Sequence, residues 1–175
     1  MMLYMLRAGV LYHQTHILAH IKGRFSDPEK KIFAADGTLL FQTAIHTMNA
    51  PPGKNGDVRF REYRLLNPDG SIYATARPGY LTQDDPDVVG WPLCRMPKVD
   101  HAVVDLAEKK FLLVMQNSQN YLMERSDSSK FLQVLHRGLI GGWDIDTEEE
   151  LLPGLICGIY VFCRYLEQEN EVFIV

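Results

Sequence analysis

"TEEELLPGLICGIYVFCRYLEQEN", residues 147 to 170, decides the fold. It is the one stretch that reads as a long helix in a chain of short alternating segments, and it is apolar on every face. A helix of that kind has to be enclosed on all sides. A membrane does not fit: the uncharged run from Leu151 to Cys163 rises only about 20 Å at ~1.5 Å per residue, against a hydrocarbon core of about 30 Å. Gly154 and Gly158 match the GxxxG pattern of membrane helix dimers, but that pattern carries weight only inside an apolar stretch of about 20 residues. The pair therefore predicts close approach of neighbouring chain to a buried helix.

The ends of the stretch offer two starting points. Thr147 with Glu150 forms a capping box, the run Glu148, Glu149 and Glu150 suits the positive end of the helix dipole, and Arg164 lies toward the opposite end. Pro153 would cost a hydrogen bond inside such a helix. The alternative is a helix that begins at Pro153, its first residue, after an irregular acidic turn.

What encloses the helix is written in the remaining chain. "KKIFAADGTLLFQTAIHT" (30 to 47) and "EYRLLNPDGSIYATAR" (62 to 77) share one plan: a strand, an Asp-Gly turn at Asp36-Gly37 or Asp69-Gly70, and a second strand. "HAVVDLAEKKFLLVMQN" (101 to 117) and "NYLMERSDSSKFLQVLHR" (120 to 137) repeat it with longer, charged turns. The opening "MMLYMLRAGVL" has no basic n-region or small-residue cleavage site and reads as a first strand. Alternation puts Thr15, Ile17, Ala19 and Ile21 on one face, as it does Leu39, Phe41 and Ile45, and Phe111, Leu113 and Met115. Ten to twelve such strands are more than an open antiparallel sheet carries without curling or closing, and a closed sheet of that size has room inside. The expectation is one domain, 1–175, mainly β with one α-helix: a closed antiparallel β-barrel of about twelve strands around a central hydrophobic C-terminal helix.

Hairpins with "FAADGTLLFQ" and "LLNPDGSIYA" turns, followed by the apolar "LLPGLICGIYVFCRYLEQE", resemble the Tubby C-terminal-like superfamily. That group holds tubby domains, phospholipid scramblases and LURP-one-related proteins. The resemblance covers nearly the whole chain as a pattern of elements, and it implies a twelve-stranded barrel wrapped round a hydrophobic helix. The tail "EVFIV" (171 to 175) departs from it. Because tubby domains bind phosphoinositide headgroups at a basic patch, the resemblance also directs attention to clustered cations. The best candidates here are Arg59 and Arg61 of "VRFREYR", expected on one face of a strand, with Lys54 in the preceding loop. Two guanidinium groups so placed could hold a phosphate bidentately. Glu62 interrupts the run, and a solvated barrel face with cross-strand ion pairs is the competing reading.

A formal net charge of -4 offers no global attraction to nucleic acid. Cys94, Cys157 and Cys163 show neither CxxC spacing nor an even count, which excludes a disulfide framework and points to a reducing cytoplasm. His13, His16 and His20 would share a face only on a helix. On a strand, His16 and His20 stand about 13 Å apart at ~3.3 Å per residue, too far for one zinc ion, so no metal is expected. "QDDPD", with Asp84, Asp85 and Asp87, lacks calcium-loop spacing and reads as a turn. No GxSxG, Walker or GxGxxG motif points to a catalytic residue or cofactor. Cys157 and Cys163 fall in the apolar helix, where a thiol behaves as a small hydrophobe; Cys94, beside Arg95, is the more reactive position. Trp91 and Trp143 suit an interface, a groove or the core.

Three classes of function follow. The first is a non-enzymatic binding or scaffold protein that recognises an anionic headgroup, a membrane surface or a protein partner on the barrel wall. The second is a carrier of a small apolar ligand, which needs an empty lumen. The third is an enzyme whose site is assembled from distant residues such as His101, His136 and Asp84.

Overall fold

The computed structural model describes residues 1–24, 27–54, 56–90, 97–117 and 119–171. Twelve strands form one closed meander: β1 (Met2–Arg7), β2 (Val10–His13), β3 (His16–Lys22), β4 (Lys30–Ala34), β5 (Leu39–Thr47), β6 (Arg61–Leu66), β7 (Ile72–Tyr80), β8 (Val99–Leu106), β9 (Lys109–Asn117), β10 (Asn120–Arg125), β11 (Lys130–His136) and β12 (Trp143–Thr147). Each pairs antiparallel with its sequence neighbours, and β1 closes the ring by pairing with β12, Tyr4 opposite Ile145. A one-turn helix, α1 (Pro86–Val89), lies in the β7–β8 connection, and the long helix α2 (Pro153–Glu169) follows β12. The expectations for Trp91, Cys94 and tail residues 172–175 fall outside the described residues.

Helix α2 is the barrel's filling. Its Leu155, Ile156, Ile159, Phe162, Cys163 and Leu166 are buried among inward side chains such as Leu11, Ile32, Leu65, Leu113 and Met123. Seventeen residues rise about 25 Å, enough to run from one rim to the other. Gly154 and Gly158 thin the helix where the wall presses hardest. A Cβ at Gly154 would lie 2.7 Å from the Phe41 ring, and one at Gly158 would lie 2.7 Å from Leu65 Cδ2. The expected close approach is therefore made by side chains of the wall. Helix α2 occupies the lumen that a carrier of this kind would have to keep empty.

Thr147 does not cap this helix. It is the last residue of β12, paired with Met2 and Leu132, and its hydroxyl donates to the Glu149 carbonyl. Regular helix begins at Pro153, the second starting point in the sequence; Leu152 stands before it without a side-chain cap. Proline fits there because a first-turn residue has no intrahelical partner for its N–H.

Two further expectations change. Between β2 and β3 the register slips, so that Leu11 faces Ala19 but Tyr12 faces Ile17. This bulge turns Ile17 outward, where it is exposed, while Ala19 stays inside, and Thr15 falls in the preceding turn. The turn between β8 and β9 is not long: Ala107 and Glu108, at φ 50° and 62°, connect Leu106 directly to Lys109. Both adopt the left-handed conformation that a two-residue hairpin needs.

Because the meander is strictly up and down, its connections alternate between two rims. One rim has short turns: 14–15, 35–38, 67–71, 107–108 and 126–129. The other, the loop rim, carries the connections 23–29, 48–60, 81–98 and 137–142 together with the end of α2.

The central fit is testable at Gly158. Gly158→Val overpacks the site against Leu65 and is expected to lower stability by about 1–3 kcal/mol, read as an earlier urea midpoint with unchanged far-UV circular dichroism. An unchanged midpoint would mean that Leu65 does not bear on the helix.

Candidate functional site

The three cations expected to form an anion site lie together on the approach to β6, but the two arginines are already engaged. Arg59 is not on a strand: it sits in a 3-10 turn, Val58–Phe60, capped by Asp57, whose carboxylate accepts from the Arg59 backbone N–H. The short turn arises because Asp57 captures that N–H before β6 begins. The Arg59 guanidinium meets Asp57 at 2.7 Å, Asp85 at 3.5 Å and Asp87, which fastens the α1 segment to the β5–β6 connection. Burial works to raise the Asp57 carboxyl, but the hydrogen bonds and charge of Arg59 outweigh it and hold it below the ordinary range. The hydrogen bond that Arg59 donates to Asp57 chiefly holds the proton on Arg59.

Arg61 opens β6 and pairs with Glu169 in the last turn of α2, and the Tyr63 hydroxyl donates to the other oxygen of that carboxylate at 3.0 Å. The Glu169 side chain is only 7% exposed, although the residue as a whole is half-buried. Arg61 is thus a clamp between wall and helix. Lys54 is exposed and has no ion pair among the described residues. A phosphate at this place would meet one lysine and two arginines already held by four carboxylates.

Glu62, which interrupts the basic run, is 6% exposed. It accepts from Arg64 Nε at 2.8 Å and, across the strands, from Arg77 Nε at 3.0 Å. Burial favours its neutral form, but the two arginines prevail and hold its pKa below the ordinary 4.5.

The residues considered for an assembled catalytic site each serve a different local contact. His101 Nδ1 lies 2.6 Å from Asp100 Oδ1, and its ring covers Gly79. His136 Nδ1 accepts from the Gly138 N–H, which braces the β11–β12 connection. Asp84 is 1% exposed and accepts from the Lys98 N–H at 2.8 Å, so it anchors the β7–β8 connection. His13 and His16 face each other across a two-residue turn. Among the described residues, no group of three His, Cys, Asp or Glu stands close enough to share a metal ion. Burial pushes the Cys157 thiol up to about 12 and Cys163 higher still, which leaves both unreactive at neutral pH.

What the sequence did not single out is the tip of the β11–β12 connection. Leu139 is 109% exposed and Ile140 65%. Gly138, Gly141 and Gly142 all have positive φ, and the tip is fastened by the bond from the Arg137 N–H to the Gly142 carbonyl at 3.0 Å. Arg7 packs beside Gly142, exposed and without an ion pair among the described residues. Arg137 reaches Asp144 at 3.4 Å. The signal in sequence was "RGLIGG", an apolar pair set between glycines. No helix among the described residues is long and apolar enough to cross a membrane. Compared with family models, with curated proteins and with solved structures, the chain has no match.

Two substitutions test these assignments. Arg61→Ala strands the buried side chain of Glu169 and is expected to cost about 2 kcal/mol, less than a fully buried pair because Arg61 is partly exposed; an unchanged thermal midpoint would sink the clamp. For Glu62, a depressed folded pKa means stability that is present above the ordinary 4.5 and lost as pH falls through the lower folded value. The gap between wild type and Glu62→Gln should therefore be widest at neutral pH and close on acidification, in urea titrations across pH. A gap independent of pH would contradict this.

Proposed function

We propose that the protein is a non-enzymatic binding protein of the cytoplasm, a member of the Tubby C-terminal-like group, whose loop rim docks on an anionic membrane surface. The observation that carries the reading is the β11–β12 tip. Leu139 and Ile140 stand in water between glycines of positive φ, with Arg7, which has no ion pair among the described residues, behind them and Arg137 held by Asp144. Side by side at a loop tip, the two side chains form a small apolar patch that a binding surface can cover.

The chemistry fits a membrane interface. Each side chain gains about 1.5–3 kcal/mol on full burial, and each cation near an anionic leaflet adds about 1 kcal/mol. Such contacts give weak, reversible, salt-sensitive docking, well short of insertion. The barrel wrapped on an apolar helix supports the family assignment. The buried free thiols Cys157 and Cys163 suit a reducing compartment. Since carboxylates hold Arg59 and Arg61, the rim's apolar tip takes the leading role in contact and the Lys54, Arg59 and Arg61 region a secondary one.

Co-sedimentation with vesicles tests this. The chain is expected to pellet with vesicles of phosphatidylcholine plus phosphatidylserine or a phosphoinositide, and less so as salt rises. Leu139→Glu with Ile140→Glu should weaken binding at least tenfold, a loss of about 1.4 kcal/mol, while Lys54→Glu has a smaller effect. Equal, negligible binding to neutral and anionic vesicles would overturn the proposal.

A further inference from the structure

Beside the exposed tip, the outside of the barrel carries an apolar row. On β1 the buried Tyr4 and Leu6 point inward, so Leu3, Met5 and Arg7 point out. Strand pairing carries the row across five strands: Ile17 on β3 stands opposite Tyr12 on β2, Tyr12 opposite Met5, Met5 opposite Asp144 on β12, and Asp144 opposite Leu135 on β11. At ~4.8 Å between strands the row is about 19 Å wide. Leu3 is 59% exposed, Ile17 43% and Leu135 37%, and the chain runs from Leu135 directly into the Leu139–Ile140 tip. The carboxylate within the row, Asp144, is held by Arg137 at 3.4 Å, and Arg137 lies against Met5 Sδ at 2.8 Å.

The loop-rim edge of the same wall is basic. Arg7 ends β1, and Lys22 on β3 stands directly opposite Lys31 on β4. All three are exposed and have no ion pair among the described residues; Lys22 Nζ lies 5.2 Å from the centre of the Phe33 ring. Like charges directly opposite on adjacent strands destabilise a sheet, a cost that an anion at this edge relieves. Asp27 and Glu29 border the groove beside the two lysines, but Lys30 lies there too, so the groove keeps a positive excess. Farther down the wall, Asp146 is taken by Lys130 at 2.6 Å.

We propose that the barrel meets an anionic bilayer tilted on its side, with the outer wall from β11 through β12, β1 and β2 to β3 in the headgroup layer next to the tip, and with Arg7, Lys22 and Lys31 facing lipid phosphates. This rests on the membrane-docking reading and adds which side of the barrel faces lipid. Charge and shape choose the occupant. Cations along the edge of an apolar strip complement an anionic leaflet. The outside of a closed sheet is convex, so a second rigid copy touches only part of a row this wide, whereas fluid lipid follows the curve.

Single cysteines carrying the environment-sensitive fluorophore NBD test it in a Cys94→Ser background, the buried thiols of Cys157 and Cys163 being unreactive. With vesicles of phosphatidylcholine and phosphatidylserine, labels at Ile17→Cys, Leu135→Cys and Leu139→Cys should shift to the blue. A label at Thr75→Cys should not, since Thr75 stands between the buried Ala74 and Ala76 and so points outward on β7, six strands from β1 around the ring. A shift at Leu139→Cys alone means an upright barrel and overturns the inference while the membrane reading stands; no vesicle binding overturns both. Ile17→Glu with Leu135→Glu should weaken vesicle binding at least about tenfold with the thermal midpoint kept, both positions being exposed. Lys22→Glu with Lys31→Glu should weaken it at least about fivefold and flatten its salt dependence. Binding unchanged in both double variants would overturn the proposal. So would a concentration-dependent dimer that Ile17→Glu with Leu135→Glu abolishes while vesicle binding is kept, which would assign the wall to a second copy.

Discussion

An α-helix with no polar face is the constraint from which the rest of this molecule follows. It satisfies its own backbone hydrogen bonds but has no side that water can cover, and a single sheet can shield only one face. Twelve strands closed on themselves shield them all, and the wall's inward residues and the helix are buried together. Fit then becomes the limiting demand. Glycine is poor in helix interiors, costing about 1 kcal/mol against alanine, yet Gly158 stands in mid-helix because any Cβ there would displace Leu65. Here packing overrides propensity.

The few polar groups carried inward by this arrangement are tied off in chains. The Lys30 N–H donates to the Thr43 hydroxyl, Thr43 to the Tyr165 hydroxyl at 2.7 Å, and Tyr165 to the Pro28 carbonyl. Four stations on two strands, a loop and the helix are so linked by one relay. At the helix end, the Asn170 side chain does the work of a strand backbone. Its carbonyl accepts from the Val99 N–H and its amide donates to the Val99 carbonyl, both at 2.8 Å. Those contacts fix α2 along its axis, which burial of apolar surface alone does not do, being non-directional.

The architecture was legible because its signals are local. All-round apolarity in residues 151 to 163 and Asp-Gly pairs between alternating runs need no knowledge of distant residues. Asp36 and Asp69 accept from the N–H two residues on, at 2.9 Å in each case, the behaviour expected of Asp in turns. The errors came from single-residue events and from distance. The bulge at Leu11 and Tyr12 reverses the face of Ile17, and nothing in the residue types marks it. Arg59 finds Asp85 and Asp87 more than twenty positions later, and Arg61 finds Glu169 across the chain. A cation run in sequence shows charge but not its partners, so a basic motif read alone overstates the free charge at a surface. The tip at Leu139 and Ile140 was not singled out, because its exposure depends on how β11 and β12 end.

The two rims divide the labour of the molecule. On one rim the turns are of two to five residues, and most residues there are committed to reversing the chain. The loop rim has length to spare, and α2 delivers its polar last turns to it. Trp143 stands at the junction. It is the first residue of β12, directly after the glycines of the exposed tip; its ring packs on His136, which accepts from Gly138 of that tip, and on Tyr160 of α2. A barrel closed around an apolar helix commits its inward wall to packing, so polar chemistry concentrates where helix and wall both run out. The Trp143 indole N–H and the Asp146 Oδ1, both on β12, are the buried side-chain atoms without a hydrogen-bond partner among the described residues.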